Sequence, residues 1–363
     1  MHSSILQFGG GQFLRAFVDL FVSEARETGQ DIGDVVVVQS TNSLRAKYFN
    51  SQLDGYNIII RGIVNGGYSE RIEPVRVVSK AIVAEENWKD VQTVVCKESV
   101  NWIVSNVTEA GYRLEVNDSI DNPRSFPAKV ASVLFSRFNA GLSGMYLLPC
   151  ELLAQNGRKL QKLVLRQSTA WNLPDSFFDW LSFDCIWADT LVDRIVSRPP
   201  VNHPLLEFDR LLAVAEPFAF WGIQASPQLP LFSHPSIEIV DNLKPYSMRK
   251  LRILNGAHTA LVCRAMPRGI VTVREAMEDK GIRSWLEKLI FEEIVPVVEN
   301  VTVEAKEFAD SVLERLSNPY IDHKLEDIAL YHETKLNTRL KPTFEEFIRL
   351  NGKAPVLLEK ILS

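Results

Sequence analysis

The tightest constraint on this chain lies at its start. Ile5-Leu6-Gln7-Phe8 is a short apolar run that ends in Gly9-Gly10-Gly11. Phe13, Ala16, Phe17, Leu20 and Phe21 then recur at helical spacing. Strand, glycine-rich turn and helix in that order give a dinucleotide fingerprint its meaning. Glycines without a Cβ let backbone amides approach a pyrophosphate, and the next helix turns its positive end toward it. The match is partial, because Leu14 takes the third glycine's place and Arg15 follows. This segment nominates Gly9, Gly11, Phe13 and Arg15 as cofactor-binding residues.

Residues 35–38 are four consecutive valines, as expected of a strand buried on both faces of a parallel sheet. The segment after them, Gln39-Ser40-Thr41-Asn42, lacks the acidic residue that usually holds an adenosine ribose. Gln39 is the neutral candidate for that contact. With Arg45 and Lys47 close behind, these residues leave NAD and NADP both open. Residues 56–61 and 71–78 read as an antiparallel insertion around a Gly66-Gly67 turn. Trp102-Ile103-Val104 is another buried strand, and strand ends line the ligand crevice of a doubly wound sheet. Ser105, Asn106, Thr108 and Glu109 therefore become candidates for the nicotinamide side. Residues 126–138 and 160–167 read as helices, 145–151 as a strand end and 211–223 as a strand region. From about residue 240 the pattern is helical, with helices over 284–297, 303–316 and 325–331. The expected fold is α/β: a Rossmann-type dinucleotide-binding N-terminal domain over 1–238, with the antiparallel insertion, then an all-helical C-terminal substrate domain over 239–363.

The chemistry concentrates in Lys250-Leu251-Arg252-Ile253-Leu254-Asn255-Gly256-Ala257-His258. On an α-helix, Lys250, Asn255 and His258 fall within an arc of about 140° and can face one cleft. Lysine can carry a proton, asparagine can donate to a carbonyl oxygen, and histidine can orient a substrate. Gly256 costs a helix interior about 1 kcal/mol, which predicts a close neighbour there.

Composition narrows the remaining classes. A chain of 363 residues suits two domains, and a net charge of −5 disfavours a nucleic-acid partner. Four dispersed cysteines without a CxxC pair fit reduced thiols in a cytoplasmic protein. No basic n-region precedes the first apolar residues, and no apolar run is long enough to span a bilayer. The six histidines lack HxxxH or HExxH spacing, so no metal site is expected. Neither a GxSxG elbow nor a Walker loop is present. Lys335 and Arg339, within a basic subset of the helical half, favour an anionic substrate. Oligomeric state stays open.

Several segments, in collinear order over nearly the whole chain, resemble the polyol-specific long-chain dehydrogenases, which include mannitol dehydrogenases and uronate reductases. They are residues 7–17, 103–111, Pro149-Cys150-Glu151-Leu152 with Asn156-Gly157, Val192-Asp193-Arg194-Ile195, 250–258, and Asn318-Pro319 through Lys335 and Arg339. Residues 13–17 and 252–259 look most like the tagaturonate reductase branch. The resemblance implies NAD(H), a sugar acid or polyol substrate, and metal-independent hydride transfer between a secondary alcohol and a ketone. It implies Lys250 as general acid/base, Asn255 and Asn156 as donors polarising the reacting oxygen, His258 as a positioning group and Lys335 as a substrate-side cation. Mannitol, mannitol 1-phosphate and fructuronate are the alternative substrates. The chain stops at Ser363, short of the longer uronate reductases, and Gln224-Ala225 stands where mannitol dehydrogenases tend to carry Glu-Asp. A nucleotide-binding module without catalysis is the alternative from another class.

Overall fold

In the computed structural model the N-terminal apolar run forms the strand Ser3–Phe8, at the centre of a six-stranded parallel sheet. Residues 3–40, 43–52, 54–224 and 229–363 are described; Thr41, Asn42 and Ala225 lie outside them. The strand order is Val78–Val83, Ile32–Gln39, Ser3–Phe8, Val100–Ser105, Tyr146–Pro149, Ile186–Trp187. Chain order along the sheet is therefore 3-2-1-4-5-6, the arrangement of a doubly wound dinucleotide-binding sheet. Ile5 pairs with Val35 on one side and Trp102 on the other. Both faces are covered: Ile5, Val35 and Val37 join one core, while Leu6, Phe8 and Val38 join another.

Four local readings need correction. The helix after the glycines is two pieces, Gln12–Arg15 and Val18–Glu27. They part at Ala16, whose carbonyl accepts from the buried Arg194 guanidinium at 2.9 Å. The insertion is a hairpin, Tyr56–Val64 and Gly67–Val75, turning at Asn65 and Gly66 with φ of 52° and 76°. An Asn-Gly pair at positive φ suits a tight hairpin better than Gly66-Gly67 does. Val78 opens the sheet's edge strand and takes no part in the hairpin. Residues 211–223 hold two strands, Ala213–Ala215 and Phe220–Gln224, in different small sheets.

The chain divides into two units. One comprises Met1–Ile60 and Arg71–Leu243; the other comprises Arg61–Glu70 and Lys244–Ser363. The hairpin tip thus groups with the helical unit, where Asn318 donates to the Arg61 carbonyl at 3.1 Å and the Arg61 guanidinium sits 4.8 Å over the Tyr320 ring. No helix among the described residues is long and apolar enough to cross a membrane.

The helical unit contains three π-helical turns: Lys250–Leu254, Leu289–Ile294 and Leu336–Leu340. Two have a plain cause. Pro296 and Pro342 follow Leu289–Ile294 and Leu336–Leu340, and a proline ring clashes with the carbonyl four residues back, so the helix widens upstream. The turn at Lys250 has no following proline. It joins Lys244–Arg249 to Asn255–Ala265. Gly256 has the close neighbour its cost implied: a Cβ there would lie 3.3 Å from Leu340 and 3.9 Å from Ile294.

The last helix, Val356–Leu362, is capped from a distance. Buried Glu293 accepts from the Leu357 and Leu358 amides, each at 2.8 Å. Glu293→Ala leaves both donors without a carboxylate and is expected to destabilise the helical unit by about 1–3 kcal/mol. A denaturant midpoint unchanged from wild type would contradict this.

Candidate functional site

One group of candidate residues lies in the α/β unit, at the carboxyl ends of the central strands. Gly9 has φ +109°, and a Cβ on it would come 3.2 Å from the Asn106 carbonyl. Gly10 is tighter still, with a Cβ meeting Phe49 at 2.7 Å and the Gln39 amide oxygen at 2.8 Å. Gly11 instead faces open space, so a Cβ there would occupy ligand volume. The glycines bound a cavity of about 530 Å³ with Gln39, Ser40, Arg45, Asn106 and Thr108. Gln39 is buried, and its Oε1 has no partner among the described residues. An orphaned acceptor beside the end of the second strand fits a ribose hydroxyl, which can donate to it.

Of the nominated cofactor residues, Gly9, Gly11, Gln39, Asn106 and Thr108 line this cavity, and four do not. Phe13 stacks on Phe17 at 4.8 Å, against the core. Arg15 is buried, donating to the Gly10 carbonyl at 2.6 Å and the Leu211 carbonyl at 2.9 Å, so it braces the loop from behind. Ser105 is buried and bonds Glu151. Glu109 is exposed beside a separate concavity with Tyr112, Lys159 and Arg166. Arg113, Arg124 and Lys129 also line this cavity and went unnoticed, because residues 112–125 were not read and 126–138 were read only for their helix.

Glu151 was also missed as a working residue. It accepts from the Val107 amide at 3.0 Å and the Tyr112 hydroxyl at 2.8 Å, pinning the loop that carries Asn106 and Thr108. Burial holds its carboxyl above the usual range, against these hydrogen bonds. Asn156 needs the opposite correction. It is fully buried, its NH₂ donates to the Pro149 and Glu151 carbonyls at 2.9 and 3.1 Å, and its oxygen accepts from the Gly157 and Thr190 amides. Every polar valence is used in holding the strand end, leaving none to polarise a substrate oxygen.

Lys250, Asn255 and His258 lie in the helical unit. Half-buried Lys250 opens the π turn. Its neighbour Arg249 turns to Glu304 and the Phe308 ring, and Arg252 donates to Thr343. The Asn255 carbonyl accepts from Thr259 at 2.9 Å, while its side-chain amide has no hydrogen-bond partner among the described residues. His258 is buried, and its Nδ1–H donates to the Leu254 carbonyl at 3.0 Å, which leaves Nε2 as an acceptor. Burial first, then His323, Arg315 and Arg339, push its pKa down to about 3, so the ring is neutral. Arg339 reaches the Thr259 hydroxyl at 3.2 Å. Lys335 donates to the Ile328 carbonyl at 2.8 Å, and burial together with Arg339 lowers its pKa. The structure thus sets Arg339 against the Asn255–Thr259 turn, with Lys335 one turn away.

One buried acid behind the glycine loop makes stability depend on pH. Asp19 accepts from Tyr56 at 2.7 Å and Gln7 at 3.4 Å, and Gln7 also donates to the Gly9 carbonyl. Burial raises its pKa to about 7, against those hydrogen bonds. A carboxyl raised above its unfolded value of 3.8 favours the fold at low pH and loses that contribution as pH rises through about 7. Asp19→Asn should therefore flatten the fall in melting temperature between pH 5 and 8 and gain most at pH 8. Parallel wild-type and variant curves would refute this.

Comparison with known proteins agrees with this architecture. The family model for the mannitol dehydrogenase Rossmann domain matches residues 3–231, and that for the mannitol dehydrogenase C-terminal domain matches 242–361. Altronate oxidoreductase of Halalkalibacterium halodurans is 37% identical over 98% of this chain and 72% of its own length. Altronate oxidoreductase of Escherichia coli is 38% identical over 98% of this chain and 77% of its own. Among solved structures, Pseudomonas fluorescens mannitol 2-dehydrogenase, a ternary complex with NAD and D-mannitol, superposes with TM-score 0.77 at 19% identity, covering 100% of this chain and 78% of that one. Substrate-free D-sorbitol dehydrogenase gives 0.83 at 21%, covering 96% and 77%. With the two domain models together matching nearly the whole of it, this chain belongs to the mannitol dehydrogenase family.

Proposed function

We propose that this chain is an NAD-dependent oxidoreductase interconverting a secondary alcohol and a ketone on an open-chain sugar acid, with altronate and tagaturonate as the pair. The observation that carries the reading is the helix bearing Lys250, Asn255 and His258, with Arg339 bonded to its Asn255–Thr259 turn and Lys335 beside Arg339. The names of the relatives at 37–38% identity support the sugar-acid choice.

The chemistry supplied by bound NAD is hydride transfer. Gly9, Gly10, Gly11, Gln39, Asn106 and Thr108 would hold it, and the orphaned Gln39 Oε1 favours a ribose hydroxyl over an all-acceptor 2′-phosphate. In ketone reduction, negative charge builds on the substrate oxygen. The unbonded Asn255 amide donates to that oxygen, and Lys250 delivers the proton. In alcohol oxidation Lys250 takes the proton back. Neutral His258 accepts a hydrogen bond from the substrate at Nε2, and the cations at 335 and 339 hold the carboxylate.

Lys250→Ala should lower turnover by about 10²–10⁴ fold. NAD affinity should survive, because the described walls of the dinucleotide cavity belong wholly to the α/β unit. A variant that keeps turnover at saturating substrate and raises only KM would make Lys250 an electrostatic anchor instead.

A substrate panel read at the reduced-nicotinamide absorbance, run with both cofactors, tests the assignment. Tagaturonate reduction with NADH is expected to exceed reduction of fructose, fructose 6-phosphate or fructuronate. Turnover confined to the neutral sugar or its phosphate would overturn the sugar-acid reading. A lower KM for NADPH would overturn the cofactor reading, and turnover of nothing would favour a binding-only module.

A further inference from the structure

His323 stands beside His258, outside the Lys250 helix. The two rings pack edge to face, with centroids 5.1 Å apart and planes at 63°. His258 spends its Nδ1–H on the Leu254 carbonyl, so its Nε2 is a lone-pair acceptor. His323 has the opposite polarity. Its Nδ1 is buried with no partner among the described residues, and a proton placed there would be an orphaned donor. The neutral ring therefore carries its proton on Nε2, at the less buried edge of a half-buried side chain.

The two imidazoles together offer one acceptor and one donor. A hydroxyl group needs both, since it donates through its hydrogen and accepts at its oxygen. A carboxylate can only accept, and an ammonium can only donate. Ring centroids at that spacing can share one oxygen at ordinary hydrogen-bond distance of about 2.8 Å. The charged groups facing this pair are Arg315, Arg339, Lys335 and Asp327, and burial with the three cations keeps both rings neutral.

From this geometry we infer that His323 and His258 form a donor–acceptor clamp for one hydroxyl of the substrate, with His323 as a specificity-determining residue. The inference rests on the substrate lying against the Lys250 helix, as proposed above. It adds a requirement the sugar-acid assignment does not make: one particular hydroxyl must be present.

The test is a cycle between variant and substrate. Purified full-length wild type, His323→Leu and His323→Gln are assayed on whichever polyol or sugar acid the wild type turns over, and on its deoxy analogues lacking one hydroxyl each. His323→Leu should raise KM for the intact substrate by about 10–100 fold, with turnover number within about threefold. One deoxy analogue, poor with wild type, should show no further loss with His323→Leu. His323→Gln, which keeps an N–H donor, should recover most of the loss. Melting temperature and NAD affinity should match wild type in both variants. Unchanged KM in His323→Leu would overturn the clamp, as would an equal further loss on every deoxy analogue. Either result would leave the sugar-acid assignment standing, and turnover of a neutral polyol alone would sink that assignment while the clamp was still tested.

Discussion

Contact without a side chain is the constraint on which the dinucleotide half depends. At Gly9 and Gly10 the first strand turns so tightly that the Asn106 carbonyl, the Phe49 ring and the Gln39 amide occupy the space of any Cβ. The neighbouring strands can then end level with the loop, and their terminal residues converge on one cavity. Buried cations hold this arrangement from behind. Arg15 ties the Gly10 carbonyl to that of Leu211, and Arg194 ties Ala16 to the Glu216 carbonyl. Each uses a guanidinium's fixed fork to satisfy backbone carbonyls from two separate segments, Ala16 being the one at the break in the helix. Burial lowers the Arg194 pKa to about 10, and the side chain still carries its charge at neutral pH.

The helical unit solves its packing problem differently. Two π turns are forced by prolines, and Leu340 and Ile294, at the ends of those turns, flank Gly256. The third turn carries Lys250 and has no proline to explain it. A π turn adds one residue to the hydrogen-bonded loop, which rotates everything beyond it about the helix axis. Asn255 and His258 therefore do not sit at the angles that uniform α geometry gives relative to Lys250. Widened turns of this kind recur at functional positions in helices.

The parallel sheet and the helical second half were legible because they depend on local patterning. Four valines in a row cannot be a half-exposed strand, and the helical spacing after residue 240 is long and regular. The position of Gly256 announced a close neighbour without naming Leu340. What escaped the sequence was the direction of side chains. Arg15 and Asn156 stand next to the right loops, yet point into the protein, because buried carbonyls and amides there needed partners more than a ligand did. Spacing cannot reveal that demand, since it arises from Leu211 and Thr190, far along the chain. Glu151 went without a role for the same reason: its partners Val107 and Tyr112 lie about forty residues away. The break at Ala16 was hidden by an unbroken helical pattern.

The electrostatics of the helical unit close the argument. The anionic substrate proposed above calls for cations, and Arg339 and Lys335 are the ones proposed to meet it. A hydroxyl-binding imidazole must stay neutral, because an imidazolium has two donors and no acceptor. These needs look opposed, since a carboxylate brought near a histidine ordinarily favours its protonation. Here Arg339, proposed for the anion, also acts on His258, and burial, His323, Arg315 and Arg339 together hold its pKa down at about 3. Under the proposed function, charge recognition and hydroxyl recognition would draw on one field. Removing a cation would weaken the grip on the carboxylate and also lower the penalty for charging the ring that must accept a hydrogen bond.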